Sequence, residues 1–187
     1  MGKYALQYAP VVGPSGCVLG LEPDPDIAGH ARLALAKYPW VTVQAVGLDA
    51  APGRRTLYRD HDKRRSSLWA SNRLEADDEI DVVLTTLDTV AALVPHLRGI
   101  KIDAQGAEAR ILAGGGVTLA RPEIAWFVEI WPEGLREAGS SAEALMDTFA
   151  AHGFVPERHT WASLRAHVPT QRGHSSMDVV IRHAEAA

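Results

Sequence analysis

Residues 101–108 (KIDAQGAE) combine acidic side chains with a position where chemistry is often done. An apolar run, residues 99–102, leads into Asp103 at a tight turn, and Glu108 lies in the first turn of the helix predicted to follow. In open α/β sheets, ligands bind at the carboxyl ends of the strands. Two carboxylates at such a point indicate handling of a cation or of hydroxyl protons, which a purely structural strand does not need.

The elements that must position these acids alternate along the chain between strand and helix patterns, which predicts an α/β layer fold. The predicted strands are residues 17–21, 41–46, 55–58, 82–86, 99–102, 123–131, 154–159 and 177–183, the last two forming an antiparallel pair. The predicted helices are residues 3–12, 26–37 with Asp26 as N-cap, 87–97, 107–113 and 142–152. Residues 60–72 are polar and predict a loop, in which the basic run 63–65 is a solvated face. Without a repeat or a low-complexity linker, residues 1–187 are expected to form a single domain.

Bulk composition excludes several classes of protein. The chain has 187 residues, 47% of them hydrophobic and 22% charged, and a net charge of −4 that gives no reason to expect nucleic acid or a membrane as partner. No apolar run approaches the roughly 20 residues of a membrane helix. A single cysteine, Cys17, is predicted to lie in a core strand, and its solitary state fits a cytoplasmic location. The eight histidines do not occur at the sequence spacings typical of metal ligands, so no metal site is expected.

Several segments together resemble the FkbM family of S-adenosylmethionine-dependent methyltransferases. They are residues 20–25 (GLEPDP), 45–48 (AVGL), 66–68 (SSL), 86–88 (TLD) and 101–108, with Glu129 at the end of the next strand. Their order and spacing agree over nearly the whole chain. The resemblance implies a class I methyltransferase (Rossmann-like) fold: a mostly parallel seven-stranded sheet in the order 3-2-1-4-5-7-6, with an antiparallel C-terminal hairpin.

One departure from the family concerns the N-terminus. Family members carry a first strand that ends in a glycine-rich turn, and Gly2 here resembles the last glycine of that turn. The strand, its acidic residue and the other glycines are absent. Because that strand is central in the family's sheet, its absence would leave two ladders of backbone groups unpaired. The hypothesis is a domain incomplete at its N-terminus, to which roughly 30 upstream residues belong.

The resemblance implies a cofactor site for S-adenosylmethionine. Glu22, after a strand, would accept hydrogen bonds from the vicinal ribose hydroxyls, and its alternative is an ordinary surface acid. Val46 and Gly47 would contact the adenine, although such residues also end strands for packing reasons alone. Asp103 would bind the amino group of the cofactor, and it suits a helix N-cap as well.

Two further acids are candidates for catalysis. Glu108 would orient or deprotonate an acceptor hydroxyl as general base, or else simply complement the helix dipole. Glu129 would share that task or be structural. Ser66 and Ser67 are candidates for an acceptor-side lid, with a plain loop as the alternative, and Lys101 is expected to reach solvent without a role.

The leading hypothesis is an O-methyltransferase acting on a small-molecule or glycan hydroxyl, such as a sugar or secondary metabolite. The competing hypothesis is a degenerate, non-catalytic methyltransferase fold that serves as a binding or interaction module, which the absent glycine-rich turn favours. A nucleotide-dependent oxidoreductase would need a G-x-G-x-x-G turn after its first strand, and the sequence has none. The acceptor and the oligomeric state do not follow from the sequence.

Overall fold

Strands and helices alternate along the chain in the computed structural model, which describes residues 2–60, 65–68, 78–168 and 175–186. The strands are β1 (Val18–Leu21), β2 (Val41–Gln44), β3 (Gly47–Leu48), β4 (Gly53–Asp60), β5 (Arg65–Ser67), β6 (Asp78–Thr85), β7 (Gly99–Ile102), β8 (Ala125–Ile130), β9 (Phe154–Pro156) and β10 (Met177–His183). The helices are α1 (Lys3–Val12), α2 (Pro25–Leu35), α3 (Leu87–Ala91), α4 (Glu108–Ala113), α5 (Gly116–Leu119), α6 (Pro132–Glu137), α7 (Ala142–Ala151) and α8 (Trp161–His167), followed by a 3-10 turn at Ala184–Ala186. The predicted mixed α/β class is confirmed.

The described strands form three sheets rather than the one sheet that the resemblance implied. One has two parallel strands, β1-β2, and a second has the order β7-β8-β10-β9. In the second sheet β7 and β8 are parallel, whereas β10 runs antiparallel to both of its neighbours. The prediction of a closing antiparallel pair is therefore confirmed.

The third sheet, in the order β3-β6-β4-β5, corrects two sequence predictions. Gly47, predicted as a turn, pairs with Leu84 at the start of β3. Within the predicted loop 60–72, Arg65–Ser67 forms a strand antiparallel to β4, with Ser66 opposite Arg59. The predicted basic run extends over residues 63 and 64, which lie outside the described residues.

Strands β1 and β7 each have one edge without a strand partner in the described part of the chain. The amide of Val18 donates to Trp40 O at 2.9 Å. The backbone N–H and C=O groups of the even-numbered residues of β1 therefore point towards β2, and those of Leu19 and Leu21 point away from it. Likewise, Arg98 O accepts from Ala125 at 2.9 Å, which turns the backbone groups of Lys101 away from β8. Within the described residues, both edges therefore present backbone donors and acceptors that no strand pairs with.

The main core lies on one face of the second sheet. Alternation along β8 buries Trp126, Val128 and Ile130 against the helices, and leaves the residues between them half-buried on the other face. Trp126 is at the centre of an aromatic cluster, with its ring 5.4 Å from Phe149 and 6.1 Å from Phe154. This packing fixes the strands whose carboxyl ends carry the candidate acids.

Two helix boundaries differ from prediction for local reasons. Asp24, not Asp26, caps α2, because its Oδ1 accepts from the amides of Asp26 and Ile27 and Pro25 fills the first helical position. Helix α3 ends at Ala91 instead of residue 97, since Pro95 cannot continue a helix and disfavours helical backbone just before it.

Cys17 is exposed and precedes β1, so the prediction of a core cysteine was wrong. Among the residues that the structure describes, no helix is long and apolar enough to cross a membrane.

Candidate functional site

The turn between β7 and α4 is held from inside by Glu108. Gln105 and Gly106 both adopt positive φ angles, 51° and 101°, which fold the chain back on itself. The Glu108 side chain is fully buried, and its Oε1 accepts from the amides of Ala104 at 2.8 Å and Gly106 at 3.3 Å. Burial raises the pKa of Glu108, and its Oε2 has no hydrogen-bond partner among the described residues. In this geometry Glu108 shapes the turn.

Gln105 joins the carboxylates of Asp103 and Glu129. Its Nε2 donates to Asp103 Oδ1 at 3.1 Å and to Glu129 Oε2 at 3.3 Å. Ser176, just before β10, donates to the other oxygen of Glu129 at 2.7 Å. The carboxyl ends of β7 and β8 therefore present a pair of acids whose orientation is fixed by neutral donors.

The environment of Glu129 raises the pKa of its carboxyl group towards neutrality. Burial, followed by the adjoining carboxylate of Asp103, raises its pKa to about 7, against the opposing effects of Ser176 and Lys101. A general base works best when its pKa lies near the operating pH. Unlike Glu108, Glu129 is only half-buried.

Lys101 does not reach solvent, contrary to expectation. Its side chain is only 8% exposed, and Nζ lies 2.9 Å from Asp178 Oδ1 and 3.9 Å from Asp103 Oδ2. The ammonium group also lies 4.4 Å from the ring centroid of Phe127 and 4.7 Å from that of Tyr4. Lys101 therefore supplies a fixed positive charge beside the acidic pair.

Helix α1 brings Tyr4 to the same place. The Tyr4 ring meets Phe127 edge to face with centroids 6.2 Å apart. Burial, then the negative charges of Asp178, Asp103 and Glu129, raise the pKa of Tyr4 to about 12. Its hydroxyl therefore stays protonated and can donate a hydrogen bond to the carboxylates around it.

A second group of predicted residues lies at the end of β1. Glu22 Oε1 accepts from the amide of Asp24 at 3.0 Å, and burial raises the pKa of Glu22. A Cβ added at Gly47 would lie 3.1 Å from Pro23 Cβ, so Gly47 and the loop after Glu22 are in close contact. Val46 is half-buried beside them.

The predicted site residues therefore fall into two groups in the structure. Glu22, Val46 and Gly47 form the first, and Asp103 and Glu129 form the second, with Glu108 buried beneath it. Sequence reasoning missed Tyr4, Gln105 and Ser176, of which only Gln105 carried a signal, its place inside the motif 101–108. Ser66 and Ser67 are residues of strand β5, but their side chains are not among those that the structure describes.

Glu129 should make the protein less stable as pH rises towards neutrality. A group whose pKa is raised in the folded state stabilises it fully below the ordinary pKa, near 4.5, and this contribution is lost as pH rises through about 7. We expect the free energy of unfolding to fall from about pH 5 to about pH 7.5, and Glu129→Gln to make that fall smaller. Chemical denaturation at each pH measures it.

Glu123→Gln provides the control for that series. The exposed Glu123 has a pKa held below its ordinary range by its own backbone amide and Arg121, so its effect lies at lower pH. Equal pH dependence in the wild type and in Glu129→Gln would contradict the shifted ionisation.

Comparison with known proteins gives one family match. A family model described as Methyltransferase FkbM domain matches residues 2–156, which include both groups of predicted site residues. No curated protein and no solved structure matches the chain.

Proposed function

Because the chain belongs to the FkbM methyltransferase family, we propose that it transfers a methyl group from S-adenosylmethionine to a hydroxyl oxygen of a sugar or secondary metabolite. The observation that supports a hydroxyl group as the methyl acceptor is the carboxylate pair of Asp103 and Glu129, bridged by Gln105. A hydroxyl oxygen must lose its proton to become alkylated, and Glu129 is a proton acceptor with a pKa of about 7.

The described residues fit the polar groups of the cofactor. Glu22 is half-buried and uses Oε1 for the amide of Asp24, which leaves Oε2 as an acceptor for ribose hydroxyls. Val46 is half-buried and can give apolar contact to an adenine ring, whereas the buried Gly47 is packed against Leu84 and Pro23 and would contribute through its backbone groups. The Asp103 side chain is 26% exposed, so it can accept a hydrogen bond from an ammonium group even though Oδ1 accepts from Gln105 and Oδ2 lies 3.9 Å from Lys101 Nζ.

The residues divide the chemical work as follows. S-adenosylmethionine, when bound, supplies an electrophilic methyl group. Glu129 accepts the proton of the acceptor hydroxyl, and Ser176 and Gln105 keep its two oxygens oriented. Glu108 is fully buried, so we propose that it positions the turn carrying Asp103 and Gln105 rather than touching the acceptor. Positioning can supply most of the acceleration of a displacement reaction.

A further strand would complete the fold. The unpaired edges of β1 and β7 belong to separate sheets, and each is the edge of a parallel pair. We propose that a further strand, parallel to both, pairs with the two edges and joins them in the class I order. The turn after this strand would then supply backbone groups to the ribose and the amino acid portion of the cofactor, since ligands of such sheets bind at the carboxyl ends of the strands.

Calorimetric titration with S-adenosylmethionine tests the proposal, on this chain and on a version extended by the upstream codons. We expect the extended chain to bind more tightly. Glu22→Ala in the better-binding form should weaken affinity about tenfold or more, because a charge-assisted hydrogen bond is lost. Glu185→Ala removes an exposed acid near the C-terminus and should leave affinity unchanged.

The possible outcomes separate the hypotheses. Binding by neither form would refute the cofactor assignment and favour a non-catalytic interaction module. Equal binding by both forms would refute the additional strand while leaving the enzyme proposal in place. Unchanged affinity in Glu22→Ala would remove that residue from the site.

A further inference from the structure

Arg59 connects the third sheet to the loop that follows β1. Its side chain is 11% exposed although it ends in a guanidinium group. Nη2 donates to Asp24 Oδ1 and to Asp26 Oδ2, both at 3.0 Å, and Nη1 donates to Asp78 Oδ2 at 3.4 Å. Nε lies 2.9 Å from Asp24 Oδ2 as an ion pair. Arg59 therefore contacts both oxygens of the Asp24 carboxylate.

Asp24 is the residue that fixes Glu22. It is only 3% exposed, its carboxylate caps α2, and its amide donates to Glu22 Oε1 at 3.0 Å. A buried carboxylate without a cation to pair with is unfavourable. Without Arg59, the Asp24 carboxylate would keep only the amides of Asp26 and Ile27 as partners, so we expect it to shift towards solvent and to move the amide that holds Glu22.

We infer that Arg59 is a positioning residue that sets the cofactor's ribose specificity, because it holds Asp24 and through it the carboxylate of Glu22. This inference rests on the proposed function, in which Glu22 binds the ribose hydroxyls. A guanidinium group can contact both oxygens of a carboxylate at once, whereas a lysine ammonium cannot keep the same geometry. The third sheet, which carries Arg59 on β4, thereby takes part in cofactor selection.

The test compares two ligands in calorimetric titrations: S-adenosylhomocysteine and its analogue that lacks both ribose hydroxyls. The protein that binds in the titrations above should prefer the hydroxylated ligand by about tenfold or more. Arg59→Met should reduce this preference by about fivefold while changing affinity for the dideoxy analogue by less than about twofold. Arg59→Lys should recover only part of the preference.

Arg182→Met is the matched control. Arg182, on β10, is half exposed, and its Nε lies 3.6 Å from Glu157 Oε1. The substitution therefore removes a guanidinium group from another part of the protein. The preference of the Arg182→Met variant between the two ligands should equal that of the wild type.

Each result decides the inference. A preserved preference in Arg59→Met would overturn the positioning role alone. An equal loss of affinity for both ligands would also overturn it, since that pattern indicates general loss of structure. If the wild type binds neither ligand, or binds both equally, the proposed ribose contact of Glu22 is refuted and the inference with it.

Discussion

Replacing Gly106 with alanine should destabilise the protein by about 3–5 kcal/mol, a large part of the stability of a typical domain. Gly106 has φ of 101°, which side chains other than glycine rarely adopt. A Cβ there would lie 2.5 Å from the carbonyl carbon of Gly134 and 3.1 Å from its Cα. Because backbone on both sides is fixed, the turn would have to open, and chemical denaturation would show the loss.

Gly139→Ala separates the two causes of that loss. Gly139 also has a positive φ, 80°, but apart from its chain neighbours no atom of the described residues lies within 4 Å of the added Cβ. It should cost only about 1 kcal/mol, the strain of the backbone conformation. Equal losses in the two variants would mean that the contact with Gly134 has no energetic weight. Only Gly106→Ala should also weaken cofactor binding, since Gln105 would move.

Replacing Glu108 with alanine should cost about 2–5 kcal/mol, because it leaves the half-buried amide of Ala104 and the buried amide of Gly106 without their acceptor. Glu108→Gln keeps an acceptor oxygen in the same place and should cost much less. Hydrogen exchange at the two amides would report the same order, with fast exchange only in Glu108→Ala. Similar stability of both variants would show that the carboxyl group does not hold the turn.

The pH dependence of Glu108→Gln has a definite sign. Burial raises the pKa of Glu108, so the folded state favours the protonated form and loses stability as pH rises above the ordinary value. Glutamine cannot ionise. The variant should therefore gain stability relative to the wild type as pH increases, which denaturation at acidic and alkaline pH would measure.

The sequence was sufficient to place most elements, because periodicity and end signals act locally. Helix α1 was predicted with the bounds observed, and β7 and the acids that follow it lie where the motif put them. Helix α8 was missed although its signal is also local: Thr160 and Ser163 form a capping box. Helix α6 was missed likewise, despite Pro132 in its first position.

The composition of the site could not be predicted to the same degree, because it depends on contacts between distant residues. Lys101 was expected in solvent, yet it is enclosed by Tyr4, 97 positions earlier in the chain, and Asp178, 77 positions later. Nothing in the local pattern around Tyr4 or Ser176 indicates a place beside Glu129. The two carboxylates Glu108 and Glu129 looked alike in sequence, and only burial distinguishes the one inside the turn from the one facing the site.

The unpaired edges of β1 and β7 have a consequence for handling the protein. Exposed strand edges act as templates for other chains, so self-association should grow with protein concentration unless a strand covers them. The side chain of Lys101, which would normally protect such an edge by its charge, is folded away against Phe127 and Tyr4. Aggregation propensity is therefore coupled to the same lysine that organises the acids, and whatever covers the edge would protect both solubility and the site.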